Sequence, residues 1–486
     1  MKRWLKLFTL ALVMVPAVFG VMLGGDTDRA TSAVYTQYTI TDDATGGDCT
    51  VIGTWDSATK TCTLTRDLSV PGVNGIKISS SNITLDGAGH YLIGENRLGS
   101  GVDTGVYTGI KIVNIEFRNF EYGIYASAAD SYLISGNNFS NIRVAIDLTW
   151  AGSNTIEENT GSEISMGLLM VTNNGSSIIQ NNVFEVLDGG AGIVSYGSSG
   201  NNKIMSNKLT GGFYGINIFG STLNIQNNYI SSCSAAGINL SSSAEGLLAN
   251  NILDSNGVGL AVSTTHDTQI INNYFMQNRD LGLRLFYSSN NLILNNYFLH
   301  NGNSSQVDDI VGSGNIYSTA TYGGNYWEGN EWPQPCADTN NNGYCDSTYT
   351  FTGGQDSLPW VKPGGWGPQL EIDDVESNVY WESYSEYLAG ILTHTFKIRN
   401  NGKVDASNPY IDSVDSTNAV EQVNPMPVTI AKNLGVGASS ETITLKYKVP
   451  TGTADFRTYI NLVYWDSNGL FYYMGRGGSF YSDNEA

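Results

Sequence analysis

The sequence is poor in charged residues, and most of its charge is negative. Asp, Glu, Lys and Arg make up 14% of its 486 residues, against about a quarter in an average globular domain. Forty-five acidic residues stand against 24 basic ones, so the formal net charge is −21. Such a polyanion repels phosphate backbones and anionic lipids, which excludes nucleic acid as a partner. Cations, neutral glycans and other proteins remain as partner classes.

Histidines and long apolar runs are also scarce. The four histidines (His90, His266, His300 and His394) have no zinc or copper spacing. Only the run from Leu7 to Leu23 approaches the ~18 apolar residues that a membrane span needs. Basic residues precede it, so residues 1–24 are predicted to be a secretory signal peptide, with an uncleaved membrane anchor as the alternative. We therefore expect a secreted or cell-surface protein.

Five cysteines are compatible with that location, because export permits disulfides. Cys49 and Cys62 flank a hairpin-like segment, and Cys336 and Cys345 flank a polar loop. Each pair is predicted to form a local disulfide. The remaining Cys233 lies among small residues and is predicted to be a buried thiol.

Two ladders of residues recur every 20 to 26 positions, mostly every 22 or 23. One is Gly or Ala followed by an aliphatic residue, at Gly123-Ile124, Ala145-Ile146, Gly167-Leu168, Gly192-Ile193, Gly215-Ile216, Gly237-Ile238, Gly259-Leu260 and Gly282-Leu283. The other is an Asn, at Asn137, Asn159, Asn181, Asn207, Asn227, Asn250, Asn272 and Asn295. Each repeat holds short alternating apolar segments broken by Asn, Ser and Gly, which indicates strands and turns.

This repeat predicts an all-β fold, a right-handed parallel β-helix of about ten coils over residues 67–318. The recurring Asn side chains are predicted to stack and to bond to the coils above and below. The open ends of such a stack need covers. We expect an N-terminal cap hairpin at 38–66 and a C-terminal cap at 319–363. The composition of 363–368 (PGGWGP) indicates a linker, and the strand-like runs of 369–486 predict a small antiparallel β-sandwich.

The C-terminal cap contains a calcium-type loop. Oxygen ligands at alternate positions, with Gly343 for the sharp turn, predict a structural Ca²⁺ bound by Asp338, Asn340, Asn342, Tyr344 and Asp346. The twelfth position is Tyr349 rather than Glu, and the candidate substitutes are Asp356 or a backbone carbonyl. The alternative is an Asn-rich turn pinned by Cys336–Cys345.

The first ladder also predicts which side chains point outward from one sheet. One outward row is Tyr125, Asp147, Leu169, Val194, Asn217, Asn239, Ala261 and Arg284, and the next is Ser127, Thr149, Val171, Tyr196, Phe219, Ser241, Ser263 and Phe286. Neither row places two carboxylates on neighbouring coils, so no catalytic residue is predicted. The rows do offer a ligand face for sugars, formed by Tyr125, Asp147, Tyr196, Asn217, Phe219, Arg284 and Phe286. An ordinary solvated sheet, or contact with a neighbouring molecule, is the alternative.

Five Asn-x-Ser/Thr sites permit glycosylation, at Asn82, Asn138, Asn174, Asn239 and Asn303.

The segments NITLDGAGHYLIG (82–94) and GGNYW…DTNNNGYCD…GGQDSLPW (323–360), with the repeated N-N-x-F, resemble the NosD-like right-handed β-helix group, also called the carbohydrate-binding and sugar-hydrolase domain. The block 323–360 is similar to the closing segment of archaeal surface proteins of this group, and DTNNNGYCD resembles thrombospondin type 3 calcium loops. FKIRNNGKVDASNPYI (396–411) resembles a CARDB-like adhesion sandwich. The group includes sugar-acting enzymes and a copper-site maturation protein. This sequence lacks the GHG, RIK and DPH motifs of those enzymes and a Met- or His-rich copper site.

These observations favour a non-catalytic secreted or cell-surface protein, a β-helix scaffold that binds carbohydrate or neighbouring surface proteins. Self-assembly is compatible with this interpretation. The alternatives are a polysaccharide lyase, hydrolase or epimerase, and a periplasmic copper-site maturation protein.

Overall fold

The computed structural model describes residues 37–481, except 72–73, 96, 129, 151, 173–174, 198–199, 221–222, 303–304, 330–331, 333–334, 374–376, 417–419, 452–454 and 467–470. The predicted signal peptide lies outside the described residues. None of the helices in the described part is long and apolar enough to cross a membrane.

Strands dominate the chain. The first 34 are β1 (Tyr38–Ile40), β2 (Gly53–Asp56), β3 (Thr61–Leu64), β4 (Leu68–Val70), β5 (Ile76–Ile78), β6 (Thr84–Asp86), β7 (Tyr91–Gly94), β8 (Ser100–Asp103), β9 (Lys111–Val113), β10 (Glu116–Arg118), β11 (Tyr122–Ser127), β12 (Leu133–Ser135), β13 (Asn138–Ser140), β14 (Val144–Thr149), β15 (Thr155–Glu157), β16 (Thr160–Val171), β17 (Ile178–Gln180), β18 (Val183–Tyr196), β19 (Asn202–Met205), β20 (Lys208–Gly211), β21 (Tyr214–Phe219), β22 (Leu223–Gln226), β23 (Tyr229–Ser231), β24 (Ala236–Ser241), β25 (Leu247–Ala249), β26 (Ile252–Asp254), β27 (Val258–Ser263), β28 (Gln269–Ile271), β29 (Tyr274–Met276), β30 (Leu281–Phe286), β31 (Leu292–Leu294), β32 (Tyr297–Leu299), β33 (Val307–Ile310) and β34 (Tyr326–Glu328).

The remaining strands are β35 (Tyr349–Phe351), β36 (Gly354–Asp356), β37 (Leu370–Ile372), β38 (Asn378–Tyr380), β39 (Ile391–Phe396), β40 (Ile398–Asn400), β41 (Ala406–Ser416), β42 (Glu421–Gln422), β43 (Val428–Thr429), β44 (Asn433–Leu434), β45 (Ile443–Lys448), β46 (Asp455–Trp465) and β47 (Phe471–Tyr481). Two short helices occur among the described residues, Cys49–Ile52 and Tyr384–Ala389.

The chain winds into a parallel solenoid, which confirms the predicted fold. A 22-stranded sheet and a 12-stranded sheet run along it. Equivalent residues of successive coils are paired in register, as at Ile124↔Ile146 and Ile146↔Leu168. The 22-stranded sheet includes the longest strand of each coil. We call their outer surface the long-strand face, formed by β8, β11, β14, residues 166–171, residues 191–196, β21, β24, β27 and β30.

The solenoid interior is filled by vertical rows of Ile, Leu, Val and Phe. Its aromatic members stack between coils, with ring centroids 5.0 Å apart for Phe117–Phe139 and 4.7 Å for Phe275–Phe298. These rings explain the glycine ladder. A Cβ on Gly123 would lie 2.6 Å from Cδ1 of Phe139, so only glycine fits there. Ala145 is tolerated in the same row because the residue in register with Phe139 on the following coil is Gly161 and not another Phe.

The asparagine ladder is real, but the predicted members are partly wrong. The stacked side chains are Asn137, Asn159, Asn182, Asn207, Asn228, Asn251, Asn273, Asn296 and Asn325, each donating from Nδ2 to Oδ1 of the next at 2.9–3.1 Å. The predicted Asn181, Asn227, Asn250, Asn272 and Asn295 each precede a ladder member and have φ of 55–59°. In each Asn-Asn pair, the first residue therefore makes the left-handed corner and the second bonds between coils.

Both ends of the solenoid are covered. At the N-terminal end, the predicted Cys49–Cys62 disulfide is present and holds the β2–β3 hairpin. At the C-terminal end, fully buried Trp327 stacks on Phe298 at 4.3 Å and on Tyr349 at 4.1 Å. The interior aromatic column thus ends on a ring of the cap rather than on water.

The C-terminal region forms two larger antiparallel sheets, β38-β39-β45-β42 and β43-β41-β46-β47 with β44 beside β41, and the two-stranded antiparallel sheet β37-β40. They enclose their own apolar core, which includes Phe396, Tyr447 and Leu462. The predicted linker 363–368 is packed, because buried Trp366 lies against Tyr297, with 4.7 Å between ring centroids. The predicted sandwich is therefore confirmed, whereas its CARDB-like assignment stays a prediction.

Candidate functional face

The two predicted outward rows follow the pairing of the long-strand face residue by residue. Tyr125 pairs with Asp147, and the first row continues in order through Leu169, Val194, Asn217, Asn239 and Ala261 to Arg284. The second row runs in the same way from Ser127 to Phe286. The parallel register thus brings the seven predicted ligand-face residues onto one surface and fixes their order along the axis.

The middle of the face presents aromatic rings beside amides. Tyr196 and Phe219 occupy adjacent coils and are 40% and 51% exposed. Asn239 donates from Nδ2 to Oδ1 of Asn217 at 2.9 Å, and Asn217 donates to the Tyr196 hydroxyl at 3.5 Å. Apolar rings next to aligned hydrogen-bonding groups can stack on a sugar ring and bond its hydroxyls.

The C-terminal part of the face carries a second aromatic pair. Phe286 is 36% exposed and meets Tyr287 edge to face at 4.5 Å. Arg284 pairs in register with Asp308 on the next coil, a neighbour that the sequence reading missed because the Gly ladder ends at Gly282. This end of the face therefore combines rings with a cation and a carboxylate.

The N-terminal part of the face is acidic. Asp147 is only 6% exposed, and Thr149 donates to its Oδ1 at 3.2 Å. Burial raises the pKa of Asp147, and burial with the nearby charges of Asp147 and Asp103 raises the pKa of Tyr125. Asp103 lies opposite Tyr125 on the preceding coil. The Gly101-Val102 pair that precedes Asp103 in sequence is the signal that would have placed it in the row.

The calcium-type loop folds around its own oxygens. The Asp338 carboxylate accepts from the backbone N–H groups of Asn342 and Gly343, both at 3.0 Å, and Asn342 Oδ1 accepts from Tyr344 N–H at 2.9 Å. The predicted Cys336–Cys345 disulfide is present, and Gly343 has φ +92°. Asp356 is not part of this loop. It is buried, and its Oδ2 accepts hydrogen bonds from Asn325 N–H at 2.7 Å and from Trp327 Nε1 at 2.8 Å.

Three glycosylation sequons fall on described residues. Asn82 and Asn138 are exposed, whereas Asn239 is half-buried. Asn174 and Asn303 lie outside the described residues. Glycosylation at all five stays a prediction.

Two family models match the solenoid. One, described as "Right handed beta helix region", matches residues 66–224, and one described as "Periplasmic copper-binding protein (NosD)" matches residues 186–336. The solenoid belongs to the NosD-like right-handed β-helix family. A search of curated proteins finds no match to this chain.

Solved structures similar to this NosD-like solenoid have low identity. The Dettilon tailspike protein is 14% identical, with TM-score 0.33, 80% of this chain and 86% of that chain covered. The DFA-IIIase of Arthrobacter chlorophenolicus A6 is 12% identical, with TM-score 0.36 and coverage of 52% and 84%. The mannuronan C-5 epimerase AlgE6 A-module of Azotobacter vinelandii is 14% identical, with TM-score 0.32 and coverage of 58% and 87%. Scores this low do not bear on what the NosD-like chain binds.

The four histidines of the NosD-like chain lie apart from one another. His90, His266 and His300 each face one carboxylate, of Asp67 at 3.0 Å, Asp267 at 2.8 Å and Glu328 at 3.6 Å. His394 is buried in the sandwich, and burial lowers its pKa to about 4. The described residues contain no group of three or more His, Cys, Asp or Glu side chains placed to hold a metal ion.

Proposed function

We propose that this protein is a secreted or cell-surface scaffold whose long-strand face binds carbohydrate. The observation that carries the proposal is the pair of exposed rings, Tyr196 and Phe219, on adjacent coils beside the Asn217–Asn239 amide pair. The parallel ladder fixes the spacing of these side chains, so little conformational entropy is lost when a ligand binds. Two disulfides are consistent with an oxidising compartment outside the cytoplasm.

A glycan array followed by calorimetric titration tests this proposal. Phe219→Ala and Tyr196→Ala are each expected to weaken the best ligand about 2- to 12-fold, because one stacked ring contributes about 0.5–1.5 kcal/mol. Tyr229→Ala is the matched control, since Tyr229 is a half-buried outward tyrosine of β23, outside the long-strand face. Equal losses in all three variants would contradict the assignment to this face.

A second candidate function is polysaccharide cleavage or epimerisation at the acidic end of the face. Asp103 and Asp147 flank Tyr125 in one row, two strand spacings or about 10 Å apart along the axis. That spacing is nearer to the separation of the two carboxylates in inverting glycosidases than to that in retaining ones. A raised pKa suits Asp147 to the role of proton donor. Release of reducing ends or unsaturated products by wild type, abolished by Asp147→Asn, would support this candidate over simple binding.

Copper binding, named in the description of one matching family, does not suit the residues present. Transition metals prefer imidazole and sulfur ligands. The histidines lie apart, and the described residues group no three His, Cys, Asp or Glu side chains for a metal. We therefore derive no copper chemistry for this chain.

The loop 338–346 suits Ca²⁺ as a structural ion. Asp338 and Asp346 offer carboxylate oxygens, Asn340 and Asn342 offer amide oxygens, and Tyr344 offers its backbone carbonyl, all hard ligands. Such an ion would hold the cap that covers Trp327. Binding of ⁴⁵Ca²⁺ by wild type, lost in Asp338→Asn, is the expected result.

A further inference from the structure

The long-strand face has two raised aromatic platforms. The first is Tyr196 with Phe219, and the second is Phe286 with Tyr287. In the outer row, Phe219, Ser241, Ser263 and Phe286 follow one another in register. The distance from Tyr196 to Phe286 is therefore four strand spacings, about 19 Å along the axis.

The floor between the platforms is low, and three of its four side chains are polar. Its outer row is Ser241 and Ser263, and its inner row is Asn239 and Ala261. These side chains are short, and all four residues are half-buried. The floor thus leaves a trough between two aromatic walls, with hydroxyl and amide groups at its base.

The trough has no acidic side chain on the first row from Val194 to Arg284. The second row, from Tyr196 to Phe286, has none either. The carboxylates of the face lie beyond it, with Asp147 two coils before Val194 and Asp308 one coil after Arg284. Arg284 is the one cation on these two rows. A polyanionic chain would need a cation at each charged sugar, which these rows do not provide.

We infer that the ligand of this face is an uncharged linear oligosaccharide of about five sugars that lies parallel to the solenoid axis. Its end sugars stack on the two platforms, and its middle sugars hydrogen-bond to Asn239, Ser241 and Ser263. The solenoid repeat matches the ligand repeat, because one coil rises by about the length of one sugar unit. This inference rests on the proposed carbohydrate function and adds the charge, length and direction of the ligand.

The test is calorimetric titration of the full chain with oligosaccharides of two to seven units. Neutral cello-, manno- and chito-oligosaccharides are compared with oligogalacturonates of equal length. In at least one neutral series, Kd is expected to fall tenfold or more from two to five units and then to level off. Oligogalacturonates are expected to bind at least tenfold more weakly. A Kd independent of length, or a preference for the oligouronate, would overturn the inference.

A blocking variant tests the direction of the ligand. Ser263→Trp places a ring across the trough, so it should weaken the five-unit ligand at least tenfold and leave the two-unit ligand within twofold of wild type. Ser135→Trp, outward on the 12-stranded sheet, is the control and should change neither, and circular dichroism melting checks folding. Wild-type affinity for the five-unit ligand in Ser263→Trp would refute the axial placement while leaving carbohydrate binding intact. A folded wild type that binds none of these sugars would refute the proposed function and this inference together.

Discussion

Replacing one member of the asparagine ladder should destabilise the solenoid far more than replacing its sequence neighbour. Asn228 is buried, donates from Nδ2 to Ile204 O at 2.9 Å and to Asn251 Oδ1 at 2.9 Å, and accepts from Asn207 N–H at 3.0 Å. In Asn228→Ala, the Asn207 N–H loses its acceptor and the Ile204 carbonyl loses a donor. Each buried unsatisfied group costs about 1–3 kcal/mol, so the free energy of unfolding should fall by about 2–6 kcal/mol.

Asn227 is the matched control because it has the same side chain one position earlier. It makes a left-handed corner with φ 57°, which glycine adopts without strain. Asn227→Gly should therefore change the free energy of unfolding by less than about 1 kcal/mol. Urea unfolding followed by circular dichroism, with hydrogen exchange to locate the weakened coils, measures both variants. If Asn227→Gly proved as costly as Asn228→Ala, the one-residue assignment of the ladder would be wrong.

Four further predictions concern other parts of the fold. Gly167→Ala places a Cβ 2.4 Å from Phe184 and 2.6 Å from Gly192 O, so urea unfolding should show a loss of about 1–3 kcal/mol or more; Gly435→Ala, whose Cβ would meet nothing closer than 3.7 Å, is the control. Burial raises the pKa of Asp356 to about 6, so the contribution of its protonated carboxyl to stability is present below about pH 4 and is lost as pH rises through about 6. The free energy of unfolding should therefore fall by at most about 3 kcal/mol over this range. Thermal melting at several pH values should show this fall in wild type but not in Asp356→Asn. Replacing Cys49 and Cys62 by Ser should cost about 2–3 kcal/mol for the short ring they close, and dithiothreitol should then lower the melting temperature of wild type more than that of the variant. Ca²⁺ at a hundredfold its Kd should raise the free energy of unfolding by about 2.7 kcal/mol, and a thermal shift that persists in Asp338→Asn would contradict the loop assignment.

The period of the sequence was sufficient to predict the fold because each coil must return an aliphatic residue and a glycine to the same interior positions. Steric exclusion enforces that rule, as Phe139 does at Gly123. The same reasoning chose the wrong member of several Asn-Asn pairs, because either residue of a pair suits a turn. In the pairs that contain Asn182 and Asn228, the hydrogen bonds between coils identify the second Asn as the stacked member.

The ligand face is less predictable, because its outward residues do not fill the core and obey no packing rule. The strand register nevertheless predicted much of the ligand face. Because Ile124 points inward, Tyr125 must point outward and lie next to Asp147. The prediction missed Asp103, where the Gly-aliphatic marker is weak, and Asp308, where the marker is absent. A solenoid thus separates two kinds of information: the repeat specifies the scaffold, and the departures from the repeat on the outer rows specify the ligand. It follows that a variant such as Ser263→Trp should alter binding without altering the fold, whereas Gly167→Ala should do the reverse.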